Sequence, residues 1–124
     1  MTGPKILIIE PDVLQRDLMQ LALQRKGYEV ICGDVSDIRH LLKTHRPLVL
    51  ALDIFLPRMN GLEVIKQLRA ESLLIGVKVL AISSMAFKEI VQQAAQLGVD
   101  DFLMKPFDVD EMINHFQRIL NDKM

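Results

Sequence analysis

The 124-residue sequence predicts an α/β fold, a five-stranded parallel sheet with helices on both faces. Three observations carry this reading. Residues 48–52 (LVLAL) and 6–9 (ILII) are uninterrupted aliphatic runs, the pattern of strands buried on both faces. Each run ends abruptly in an acid, Asp53 in one case and Glu10 in the other, and open α/β sheets place their ligand crevice at the carboxyl ends of the strands. Five strand-like segments alternate with five helix-like ones through short connections, without repeats or low-complexity tracts, so residues 1–124 read as one domain.

The first strand covers residues 5–10 (KILIIE). Asp12 and Gln15 then form a capping box, Leu14, Leu18 and Leu21 repeat at helical spacing, and Lys26-Gly27 supplies a stop, which predicts a helix over 13–26. Residues 28–32 (YEVIC) read as a short strand, and 35–44 as a short helix with Ile38, Leu41 and Leu42 inward. Arg46-Pro47 restarts the chain into the central strand, whose carboxyl end is Asp53. Pro57 and Gly61 punctuate the loop that follows, and Leu62, Ile65 and Leu68 open a helix over 61–71. Residues 77–82 (VKVLAI) form the next strand and end in Ser83-Ser84. Ile90, Ala94 and Leu97 give a helix near 86–97 one face, and Gly98 terminates it. A brief strand at 101–104 (DFLM) runs into Lys105-Pro106. Val109, Met112, Ile113, Phe116 and Leu120 then mark a closing amphipathic helix over 108–121. Right-handed crossovers leave few topologies for such a chain, and the doubly wound, flavodoxin-like (βα)5 order 2-1-3-4-5 is the expected one.

Composition narrows the function classes. Half the residues are hydrophobic, a quarter are charged and the net charge is −1, a balance that argues against direct nucleic-acid or membrane-surface binding. No apolar run is long enough to span a bilayer and MTGPK is no signal peptide, so the expected compartment is cytoplasmic. The single Cys32 forms no internal disulfide, and His40, His45 and His115 lack metal-ligand spacing.

In a parallel sheet the carboxyl ends of all strands share one edge. That edge should gather Glu10 with Asp12, Asp53, Ser83 and Lys105. Singly these are ordinary strand-end, cap and turn residues; together they have the parts of a phosphoryl-transfer centre. A carboxylate can attack phosphorus and form an acyl phosphate, an ammonium group and a hydroxyl can neutralise and hold the phosphoryl oxygens, and Mg2+ takes carboxylate, phosphate and water oxygens. A flavin- or nucleotide-binding enzyme on the same fold is disfavoured, because no GxGxxG or GxxxxGK[ST] cradle occurs.

These residues carry a resemblance. LDIFLPRMNGLEV around Asp53, Ser83 at its strand end and GVDDFLMKPF from Gly98 to Phe107 resemble a response-regulator receiver domain, the CheY-like module of two-component signalling, over nearly the whole chain. The resemblance implies a non-enzymatic phosphorelay domain that assists its own phosphorylation and dephosphorylation. Asp53 is then the phospho-acceptor, Ser83 the hydroxyl that moves onto the phosphoryl group, Lys105 its cationic partner, Phe102 the aromatic switch residue and Pro106 the cis-proline. The implied partners are a histidine kinase or phosphotransfer protein and a downstream effector, with a homodimer through the 86–97, 101–104 and 108–121 face as a further option. The implied cofactor is Mg2+, with Glu10, Asp53 and the Phe55 backbone carbonyl as ligands and Asp12 as a further candidate.

One position departs from the pattern. Such domains carry two adjacent acids after the first strand, whereas this chain reads Glu10-Pro11, and proline has no side-chain ligand for a cation. Weak Mg2+ binding is therefore expected, and a degenerate receiver, binding partners without phosphate, is the competing reading. Phe55 and Met85, two residues beyond Asp53 and Ser83, are apolar and unable to orient an attacking water, which predicts slow loss of phosphate.

Overall fold

A computed structural model describes residues 3–121. The main sheet contains β1 (Lys5–Ile9), β2 (Glu29–Cys32) and β3 (Val49–Asp53). Two short arms, β4 (Phe55–Leu56) and β5 (Met59–Asn60), pair antiparallel as a separate hairpin, and β6 (Lys78–Ser83) and β7 (Asp101–Met104) complete the main sheet. All main-sheet pairings are parallel and the order is β2-β1-β3-β6-β7, which over main-sheet strands alone is the expected 2-1-3-4-5. The helices are α1 (Val13–Arg25), α2 (Ile38–His45), α3 (Gly61–Ala70), α4 (Lys88–Gln96) and α5 (Val109–Asn121).

Strand alternation sorts the aliphatic runs into two cores. Leu7, Ile9, Leu50, Leu52 and Val79 meet Ile38 of α2 and Ile65 and Leu68 of α3 on one face. Ile6, Ile8, Val49, Ala51 and Leu80 meet Met19 and Leu23 of α1 and Met112 and Phe116 of α5 on the other. Every residue of β3 is buried, which explains its lack of polar alternation and fixes Asp53 at its end. Register pairs Asp53 with Ile82, and Ser83 with Met104, so the three strand ends that carry the chemistry lie side by side.

Some elements differ from the sequence reading. The helix expected over 13–26 forms as α1, but it is buried through Met19 and Leu23, while Leu14, Leu18 and Leu21, whose spacing marks it, are 81%, 45% and 51% exposed. Residues 35–37 form a separate 3-10 turn and α2 proper starts at Ile38. The hairpin inside the 54–60 loop has arms of two residues, too short to show a period of two. In α5, Ile119 joins the core while Val109 stays on the surface.

Helix ends near the carboxyl edge are tied down unequally. Asn60 caps α3, accepting the Leu62 N–H at 2.8 Å. The start of α4 has no side-chain cap at Phe87. At its far end the Arg69 guanidinium donates to the carbonyls of Leu97 and Gly98, satisfying groups that a helix C-terminus leaves open.

Candidate functional site

The carboxyl edge brings three of the chemical side chains together. Asp53 is 5% exposed; its Oδ2 accepts from the Lys105 amine at 2.6 Å and its Oδ1 from the Phe55 N–H at 2.8 Å. Glu10, 1% exposed, places Oε1 2.7 Å from the same amine, without hydrogen-bond alignment, while Oε2 accepts the Asp12 N–H at 3.1 Å. One ammonium group therefore bridges two buried carboxylates from β1 and β3.

Burial pushes the Glu10 carboxyl above its ordinary range and the Asp53 charge adds to this, against the lowering effect of Lys105 and the Asp12 amide. For Lys105, burial alone would lower the value, but the contacts to Asp53 and Glu10 outweigh it and hold the amine above its ordinary range. The lysine is thus a fixed positive charge at neutral pH, held between two buried carboxylates.

Ser83 is fully buried, and its hydroxyl donates to the Met85 carbonyl at 2.6 Å and accepts the Met85 N–H at 3.0 Å. The hydroxyl is engaged in its own turn, although its strand neighbours that of Asp53. Phe102 is half-buried against the core cluster of α2, α3 and α4, and the Lys105-Pro106 peptide is cis. Phe55 and Met85 are 43% and 45% exposed.

The Mg2+ that the resemblance implies meets a poor donor set. Among the described residues, no group of three His, Cys, Asp or Glu side chains is gathered to hold a metal ion. Asp12 is spent on α1, where its Oδ1 accepts the Gln15 N–H at 3.1 Å as N-cap. That leaves Glu10 and Asp53, with the Phe55 backbone beside them, and Lys105 lies between the two acids. The residues present do not fit a tightly held divalent ion.

A further polar cluster lay outside the sequence reading. Asp101 Oδ2 accepts from Arg118 at 2.9 Å and lies 2.7 Å from His115 Nδ1, joining β7 to α5. Burial opposes ionisation there, but the bonds from Arg118, His115 and the Phe102 N–H together hold the Asp101 carboxyl below its ordinary range. Contacts between residues 14 and 17 positions apart leave no local spacing by which sequence could reveal them. Cys32 is half-buried, and burial pushes its thiol up, in keeping with a structural role.

Comparison with known proteins agrees with this geometry. The response regulator receiver domain family matches residues 6–117. The chain is 34% identical to the transcriptional regulatory protein CrdR of Helicobacter pylori over 119 residues, 95% of this chain and 55% of that protein. It is 32% identical over 117 residues to the alkaline phosphatase synthesis transcriptional regulatory protein PhoP of Bacillus subtilis, covering 94% of this chain and 48% of that one. The chain thus spans about half the length of these curated relatives. Among solved structures, the Vibrio cholerae chemotaxis protein CheY4 superposes with a TM-score of 0.88 at 25% identity, over 95% of this chain and 99% of that one. A signal receiver domain from Bermanella marisrubri does so with a TM-score of 0.83 at 28% identity, over 94% and 98%. The chain belongs to the response regulator receiver domain family, the receiving modules of two-component signalling.

Proposed function

We propose that Asp53 accepts a phosphoryl group from a histidine kinase or phosphotransfer protein, and that the resulting acyl phosphate changes a protein-binding surface. The observation that carries this is the Lys105 ammonium 2.6 Å from Asp53 Oδ2, in a pocket that also fixes Oδ1 through the Phe55 N–H. An Asp53 oxygen attacks phosphorus, the P–N bond of the donor phosphohistidine breaks, and the imidazole leaves with the electron pair and takes up a proton. Lys105 moves its charge interaction onto the phosphoryl oxygens, where it counts most as negative charge builds. The donor reaches Asp53 from the carboxyl edge, where the exposed Leu14–Leu18–Leu21 stripe of α1 begins beside Asp12 and offers an apolar seat for it.

The phosphoryl group carries about two negative charges, and because it consumes the charge of the Asp53 carboxylate the crevice gains about one net negative charge. Ser83 exchanges its bonds to Met85 for a phosphoryl oxygen, which draws the 83–87 loop inward and lets Phe102 repack. The face formed by α4, β7 and α5 carries the change to a downstream effector. Exposed Phe87, Val91 and Met104 supply apolar contact area on this face for that effector or a second copy. Asp101 and Arg118 are already paired within the chain, so a homodimer through this face would draw on those apolar residues first.

Intact mass after incubation with acetyl phosphate tests the proposal: one phosphoryl adduct is expected on the native chain and none on Asp53→Asn. Equal adducts on both would refute it. No adduct on either would favour the phosphate-independent binding module, the reading that Pro11 supports. Once formed, the adduct should be long-lived, because Phe55 and Met85 flank the acceptor with apolar bulk. Phe55→Asn supplies a group that can orient water and should speed hydrolysis about tenfold, less than the roughly 10²–10⁴-fold of a positioned acid or base because an amide takes no proton. An unchanged half-life would remove Phe55 from this role.

A further inference from the structure

We infer that Lys105 is the resident cation of this acid pocket and that the pocket takes up no divalent ion at millimolar concentrations. The inference rests on reading Asp53 as the acceptor and Glu10 as the acid beside it. It departs from the Mg2+ dependence that the fold family implies.

Two of the expected ligands are lost for separate reasons, which leaves Glu10, Asp53 and the Phe55 carbonyl. Pro11 stands where a second acid would be, and its ring carries no oxygen. Asp12 is engaged twice, its N–H donating to Glu10 and its carboxylate capping α1 at the Gln15 amide. Freeing the carboxylate would strip the helix of a cap. Glu10 and Asp53 remain, and the Lys105 ammonium is 2.7 and 2.6 Å from them. With all three groups ionised, this leaves one net negative charge, a weak attraction for an ion that gives up its hydration shell reluctantly.

Glu10 Oε1 argues most directly for a metal, being a buried side-chain oxygen without a hydrogen-bond donor. Its charge is nonetheless met by the Lys105 amine. A divalent ion on that oxygen would have to expel the ammonium or lie against it, and like charges at such a separation repel strongly in a poorly solvated pocket. The lysine thus does structurally what an ion would do: it joins the ends of β1 and β3 to the segment after β7.

The test uses the unphosphorylated chain. Wild type is titrated with Mn2+ while amide signals are followed by NMR, and with Mg2+ while the thermal midpoint is followed against a sodium chloride control of matched ionic strength. The expected result is no broadening localised at Glu10, Asp53 and Phe55, and a midpoint shift no larger than that of the salt control. Pro11→Asp, at an exposed position, should gain both responses, with localised Mn2+ broadening and a saturable Mg2+-dependent rise. Localised broadening in wild type that saturates in the millimolar range and disappears in Asp53→Asn would overturn the inference. So would a folded Pro11→Asp that gains no ion, because the missing acid would then not be the cause. If Pro11→Asp does not fold, the wild-type titration decides alone. Neither readout requires phosphate, so failure of the phosphodonor experiment and failure of this one are distinguishable.

Discussion

Lys105→Met should destabilise the chain by about 3 kcal/mol at neutral pH, the low end expected for removing one member of a buried ion pair, since the lysine is partly exposed. Methionine keeps the apolar stem, so the loss reports the ammonium. Without it, two buried carboxylates confront each other across the ends of β1 and β3. Glu10, whose carboxyl is already raised by burial and by Asp53, then rises further and holds a proton that the unfolded chain has released. An acid with a folded pKa above its unfolded value makes stability fall as pH rises between the two values. The variant should therefore regain stability on acidification from neutral pH toward the ordinary glutamate range. In wild type the raised Lys105 pKa makes the ion pair's contribution full at neutral pH and lost only as pH rises through the folded value, above the ordinary lysine range. Urea unfolding across pH measures both, and adding Glu10→Gln to the variant should restore most of the loss. A deficit independent of pH and untouched by Glu10→Gln would mean that Lys105 acts by packing alone.

Gly61→Ala should be nearly as damaging, for a steric reason. A Cβ on Gly61 would lie 2.5 Å from Ile54 Cα and 2.9 Å from the Asp53 carbonyl oxygen, both backbone atoms that have no rotamer by which to yield. Its own N–H closes the loop onto the Ile54 carbonyl at 2.8 Å, so the start of α3 cannot retreat without breaking that bond. Overpacking of this kind costs about 1–3 kcal/mol, and better helix propensity returns at most about 1 kcal/mol. The displaced backbone is the one that aims Asp53, so phosphoryl uptake should fall together with stability. Thermal unfolding and the intact-mass assay follow the two losses; an alanine variant equal to wild type in both would show that the loop yields freely.

Much of this architecture was legible because burial on both faces of β1, β3 and β6 writes itself as unbroken aliphatic runs, and because parallel strands must end on a common edge. That logic gathers Glu10, Asp12, Asp53, Ser83 and Lys105 at one edge, where Glu10, Asp53 and Lys105 meet directly. Periodicity found α1 but not its buried face, because both the leucines at 14, 18 and 21 and the pair Met19 and Leu23 have helical spacing. A helix with two apolar stripes does not declare which one faces the sheet; the packing against β2 and α5 decides it. Periodicity was equally silent on where polar groups point. Ser83 sits at the edge as expected, yet its hydroxyl is held by Met85, whereas the Asp12 cap on α1 was legible in the Asp12-Gln15 spacing. Such choices depend on local hydrogen-bond competition within a few residues.

The unequal fastening of α4 has a mechanical consequence. With Arg69 bonded to residues 97 and 98 and no side-chain hydrogen bond capping the helix at Phe87, α4 would move as a lever held at its Gly98 end. A pull on the 84–87 segment is then delivered as a swing that is widest next to Asp53 and fades toward Gly98. Partners seated on the first turn of that rod would feel it most.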